Sequence, residues 1–143
     1  MQWIPTVLIM LYYLWGATGF VYNEQAVAKC LPHAPVNSLA MLFDKEVVEK
    51  LSACGVSLLD SPVEVFPAAL IYLGLDPNTE KAEDMKRVTE LLVTLAPYLR
   101  RFDSFQFVTQ LGTREICLAQ AWSSYGNIAV FQGAESVCPQ NMR

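Results

Sequence analysis

From Asp44 onward, strand-length apolar runs alternate with helix-length segments, and this alternation constrains the fold more than any other feature of the chain. Asp44 is placed to accept the free amide hydrogens at the start of a short helix through about Ser52, with Val47, Val48 and Leu51 on its inner side. Gly55 marks the end of that unit, and Val56 to Leu59 follows as an apolar run of strand length. Ser61-Pro62-Val63-Glu64 then carries three agreeing helix-start signals: a serine cap, a proline at the first helical position and a glutamate at the third, where it closes a capping box. This helix is expected to run to about Leu73 and stop at Gly74, with Pro67 removing one interior hydrogen bond and bending its early part. Asp76-Pro77-Asn78 is a turn, after which Ala82, Met85, Val88, Leu91, Leu92 and Leu95 recur at helical spacing up to Pro97. Ser104 is the expected cap of a last short helix ending at Leu111 before Gly112, and Ile116 to Trp122 reads as a strand. Alternation of this kind predicts a single α/β unit, a mainly parallel sheet flanked by helices.

The first part of the chain is less regular. Trp3 to Tyr22 holds no charged residue, a stretch long enough to raise the question of a membrane span or a secretory signal. No Lys or Arg precedes the run, Pro5 sits near its start, and Gly16 and Gly19 interrupt its end, so it lacks the charged leader of a signal peptide. Tyr12 to Trp15 and Phe20 to Tyr22 instead read as extended chain broken by a turn, with a membrane-tethered protein as a competing reading. Leu31-Pro32-His33-Ala34-Pro35 is a loop, because two prolines restrict both themselves and their predecessors.

Composition narrows the partners. The 143 residues are 53% hydrophobic and 17% charged, more apolar than an ordinary domain with about a quarter charged residues. A surplus of apolar surface is what a face covered by a partner would need. The formal net charge of −4 argues against nucleic acid, whose binders cluster Lys and Arg to displace counterions. Four cysteines, Cys30, Cys54, Cys117 and Cys138, allow three pairings that spacing alone does not resolve. Cys30 and His33 stand three apart, but His33 is the single histidine and no further ligands lie at short spacing, so no metal is expected and a surface loop is the better reading. No nucleophile, base and metal constellation and no Gly-rich phosphate loop is present, so neither an enzyme nor a cofactor is expected.

Several stretches resemble, in order, the second lobe of the putrescine-binding subunit of polyamine ABC transporters. They are Leu51-Ser52-Ala53-Cys54-Gly55-Val56-Ser57-Leu58-Leu59-Asp60-Ser61-Pro62 with Glu64-Val65-Phe66, and Tyr72-Leu73-Gly74-Leu75-Asp76-Pro77-Asn78. Leu91-Leu92 through Pro97-Tyr98-Leu99-Arg100 with Phe102, and Glu115-Ile116-Cys117-Leu118-Ala119, continue the series. Trp15-Gly16-Ala17-Thr18-Gly19 with Tyr22-Asn23 is similar to the crossing of that family's chain into its second lobe. The resemblance implies a single, incomplete lobe of a type II periplasmic-binding-protein fold over residues 13–126. Residues 1–12 form an unassigned apolar head and residues 127–143 an unassigned tail. Insertions or deletions that shifted the reading frame near each end would produce this pattern.

In that family two lobes close on an extended amine, with carboxylates for the ammonium ends and rings along the methylene chain. By resemblance Glu64 is an anionic partner for an ammonium group and Trp122 a wall of the cleft. Local pattern alone gives each a plainer role: Glu64 a capping-box residue, Trp122 a packing residue. The resemblance also implies a disulfide between Cys54 and Cys117, while Cys30 and Cys138 have no counterparts in it. After the tryptophan the family continues with a small residue, glycine and an aspartate that takes one end of the ligand. Here the chain reads Ser123-Ser124-Tyr125-Gly126-Asn127, so that carboxylate is missing. The expectation is therefore a periplasmic polyamine (putrescine)-binding lobe serving an ABC-transporter permease, with affinity weakened or lost in this chain alone. The alternative is a non-catalytic interaction module that self-associates through the exposed cleft face.

Overall fold

The computed structural model describes residues 17–125, so the run Tyr12 to Trp15, the head, the tail and Cys138 lie outside the described residues. Four strands make one sheet: β1 (Thr18–Tyr22), β2 (Val56–Leu58), β3 (Arg101–Phe102) and β4 (Leu118–Trp122), in the order β1-β4-β2-β3. β2 runs parallel to both β3 and β4, and β1 runs antiparallel to β4. The sheet is thus mainly parallel, as the alternating pattern predicts. Phe20, Val21, Val56, Leu58, Leu118, Ala119 and Ala121 are all buried, and because successive strand residues point to opposite faces, both faces of the sheet are covered.

The helices are α1 (Glu24–Cys30), α2 (Ala40–Phe43), α3 (Lys45–Leu51), α4 (Pro62–Tyr72), α5 (Ala82–Leu95) and α6 (Phe107–Gly112), with a 3-10 turn at Ala96–Tyr98. α3 starts as its sequence predicts: the Asp44 carboxylate accepts from the amides of Glu46 and Val47. On its inner side Val48 and Leu51 are fully buried and Val47 partly so. α5 buries Val88 and Leu95 completely and Met85, Leu91 and Leu92 partly, while Ala82 is exposed. α4 ends in a Schellman motif. Leu75 N–H donates to the Leu70 carbonyl and Gly74 N–H to that of Ile71, with Gly74 at φ 73°, a conformation that a side chain disfavours. The helix continues through Pro67, which has no N–H to offer the carbonyl of Val63, a residue 79% exposed at the helix start.

Four local expectations are corrected. Ser61 and Pro62 do occupy the cap and first helical positions of α4, but the Ser61 side chain makes no capping bond and Glu64 does not close a capping box. At α6 the serine is again not the cap. Asp103 Oδ1 accepts from the amides of Phe105 and Gln106 at 2.7 and 2.6 Å, and Ser104 Oγ instead accepts from Asp60 N–H, joining the ends of β2 and β3. The same helix includes Gly112, and Arg114 takes the left-handed position (φ 62°) after it. Arg114 N–H still donates to the Leu111 carbonyl and Glu115 N–H to that of Gln110, so the end is a Schellman motif at a cost of about 1 kcal/mol for the non-glycine residue. The last strand begins at Leu118, because Cys117 pairs outside the ladder: its N–H donates to the Gly55 carbonyl and its carbonyl accepts from Asn23.

Cys54 and Cys117 are joined in a disulfide, with Cα atoms 5.4 Å apart and a sequence separation of 63. The bond ties the turn after α3 to the start of β4. Closing a loop of that length stabilises by about 4 kcal/mol in the chain-entropy model. No helix among the described residues is long and apolar enough to cross a membrane.

Candidate functional site

In a parallel sheet the groups available to a ligand gather beyond the carboxyl ends of the strands. Here that edge collects the residues after β2 (Asp60, Ser61 and the first turn of α4), those after β3 (Asp103 to Phe105) and the end of β4 (Trp122 to Tyr125). The antiparallel β1 begins at the same edge, with Thr18 directly opposite Trp122. Directly opposed residues of an antiparallel pair point to one face, so the Thr18 hydroxyl and the Trp122 ring share a side of the sheet.

Glu64 joins them. Its carboxylate accepts a hydrogen bond from the Thr18 hydroxyl, and this is where the glutamate goes instead of back to its own helix cap. The two residues singled out by resemblance, Glu64 and Trp122, thus each neighbour Thr18, one through a hydrogen bond and the other through strand pairing. Both are partly buried, and a groove of about 140 Å³, lined by Thr18, Glu64, Leu39, Val63, Pro67 and Ile71 among others, leaves the carboxylate reachable.

The placement is held from beneath by Gln120, two residues before Trp122 and on the same face. Gln120 is fully buried; its Oε1 accepts from Leu59 N–H and its Nε2 donates to the Glu64 carbonyl, each at 3.4 Å. One amide side chain therefore links the end of β2 and the first turn of α4 to β4. Ser123 N–H donates to the Ala17 carbonyl at 2.8 Å and fixes the β4 end against the start of β1. Asp103 N–H donates to the Leu58 carbonyl at 2.9 Å, which sets the β3 end beside that of β2.

Beyond Trp122 the edge becomes aromatic. The Tyr125 ring lies 5.8 Å from Trp122 and 6.3 Å from both Phe105 and Phe107, centroid to centroid, at interplanar angles of 52° to 75°. Phe107 is core, whereas Phe105 is 69% exposed. Three carboxylates, Asp60, Glu64 and Asp103, stand along the edge, with the Arg101 guanidinium 3.9 Å from Asp103. The edge suits a cation. Among the described residues no cluster of three or more His, Cys, Asp or Glu is arranged to hold a metal. Sequence reasoning passed over Thr18, Gln120 and Phe105, because their roles arise from strand pairing and carry no local signal.

Comparisons with known proteins bear on the family and the fold. No protein-family model matches the chain. A putrescine/agmatine-binding protein of Pseudomonas aeruginosa is 42% identical over 118 residues, which are 82% of this chain and 32% of that one. The putrescine-binding periplasmic protein PotF of Escherichia coli is 44% identical over 113 residues, 78% of this chain and 30% of PotF. The chain is homologous to one segment of the periplasmic polyamine-binding proteins. It spans about a third of the length of these relatives. The fold agrees as well: the spermidine/putrescine substrate-binding protein PotD of Streptococcus pneumoniae superimposes with a TM-score of 0.71 at 17% identity, over 88% of this chain and 36% of that one. The described residues therefore form part of one lobe of a periplasmic-binding-protein fold. PotD is a substrate-binding protein of an ABC transporter.

Proposed function

We propose that the carboxyl edge of this sheet is one half of a polyamine-binding cleft, taking putrescine or a related amine for delivery to an ABC-transporter permease in the periplasm. Glu64 accepts an ammonium group and Trp122 forms a wall against the methylene chain. The observation that carries this reading is the turning of Glu64 away from its own helix cap and onto Thr18, beside Trp122. A capping glutamate would be spent on backbone amides, whereas this one presents charge at an edge where three parallel strands end. The Trp122 face adds attraction for a cation and covers apolar surface.

Glu64 and Trp122 hold a diamine from one side only. The second ammonium then keeps its water, and most of the affinity of a two-sided site is lost. This chain alone is therefore expected to bind putrescine with a dissociation constant near ~1 mM, about what −4 kcal/mol provides. Titration followed by the indole N–H signal of Trp122, assigned with a Trp122→Phe variant, measures it at low salt. Saturation in that range, with at least tenfold weaker binding in Glu64→Gln, is the expected result. Submicromolar binding by the monomer, or indifference to Glu64→Gln, overturns the reading.

A further inference from the structure

We infer that the far end of this half-cleft selects a weakly hydrated cation, a trimethylammonium-type head, over a primary ammonium. This rests on the proposed amine site and concerns its specificity. Tyr125 stands three residues past Trp122 and packs its ring 5.8 Å from the indole, with Phe105 and Phe107 each 6.3 Å from it. The steep angles between these rings, 75° for Phe105 and 52° for Trp122, make a corner and not a flat stack, and the 69% exposed Phe105 leaves its outer wall open. The ring corner adjoins Trp122, which faces Thr18 across the β1–β4 pair, and Thr18 holds Glu64. At the proposed site, an amine whose primary ammonium sits at Glu64 and whose chain runs along Trp122 has the ring corner at its other end.

Rings and carboxylates select differently. A primary ammonium offers three N–H donors and is strongly hydrated, so against ring faces it gives up hydrogen bonds that no acceptor there restores. A trimethylammonium has no N–H to satisfy, gives up little hydration, spreads its charge over methyl groups and also buries apolar surface on the rings. The same end of the cleft therefore favours the methylated cation, and does so through Tyr125 and Phe105.

The test compares 1,4-diaminobutane with its N,N,N-trimethyl derivative, equal in chain length and in charge, by calorimetry or Trp122 resonance shifts at one ionic strength. The wild-type chain is expected to bind the trimethyl compound about fivefold more tightly, as a cation–π contact of ordinary strength provides. Tyr125→Asp is expected to reverse the order, because a carboxylate rewards N–H donors. Phe105→Ala, which touches no buried core and serves where Tyr125→Asp unsettles Phe107, is expected to bring the ratio close to one. Equal affinities in the wild-type chain, or a ratio unmoved by both variants, overturn the inference while leaving the amine site standing if Glu64→Gln still weakens binding at least tenfold. Loss of that Glu64 dependence overturns the amine site, and the inference with it.

Discussion

The two ends of the sheet are built differently. At the amino end of β2 and β4 the chain is closed by covalent and steric means. The Cys54–Cys117 disulfide joins the two strands' approaches, and Gly55 (φ 95°) packs so tightly that a Cβ there would lie 3.0 Å from the Glu115 carbonyl oxygen and 3.1 Å from the Ile116 Cα. Cys117 N–H to Gly55 at 2.9 Å completes the closure. At the carboxyl end no covalent tie is present among the described residues. Besides the backbone bonds from Ser123 to Ala17 and from Asp103 to Leu58, the strands are joined by side-chain hydrogen bonds, from Thr18 to Glu64, through Gln120 to Leu59 and Glu64, and from Asp60 to Ser104, and the groups left over are carboxylates and rings. Stability is concentrated where nothing needs to bind, and polar and aromatic groups where something can. A parallel sheet imposes this division, because its carboxyl ends open into loops that vary without disturbing the ladder.

Three measurements sharpen or break that contrast. The largest effect belongs to the closed end: replacing both Cys54 and Cys117 by serine is expected to lower the unfolding free energy by about 4 kcal/mol, read from the urea midpoint under oxidising conditions. A loss under about 1 kcal/mol would mean that the disulfide closes nothing the fold has not already closed. Next comes Gly55→Ala, expected to cost about 2 kcal/mol, since the substitution meets both a left-handed backbone and a facing carbonyl. A neutral result would show that the Glu115–Ile116 segment yields, and that the amino end is softer than its packing implies. The smallest belongs to the open end. Thr18→Val, which keeps the shape and deletes one partly exposed hydrogen bond, is expected to cost about 1 kcal/mol of stability while changing amine binding through Glu64. If Thr18→Val destabilised as much as loss of the disulfide, the carboxyl edge would be a structural element and the contrast would fail.

Much of the architecture was legible because it is written locally. Asp44 before an apolar face, Gly74 after Tyr72-Leu73 and the spacing of Met85, Val88, Leu91, Leu92 and Leu95 each specify their element within a few residues. The failures have a common cause: short helices and strands carry too few residues to show a period. α1 was not read as a helix although Asn23 caps it by accepting from Ala26 N–H, α2 has only four residues, and β3 has two whose pairing partner lies over forty residues away. Ser61 and Ser104 were good cap residues by type, but Glu64 answers to Thr18 and Ser104 to Asp60, neighbours that no local window contains.

The sequence by itself determined which segments are helices with strong periods and that the sheet is mainly parallel, because periodicity and caps are properties of contiguous chain; Glu64 and Trp122 became cleft candidates only through resemblance to a family, their local pattern giving a cap and a packing residue. Only the tertiary structure decided where Glu64 points, that Thr18 and Gln120 position it, and that Tyr125 meets Phe105 and Phe107 at the end of β4. Those outcomes depend on register between strands a hundred residues apart, and register is fixed by the packing of both sheet faces together.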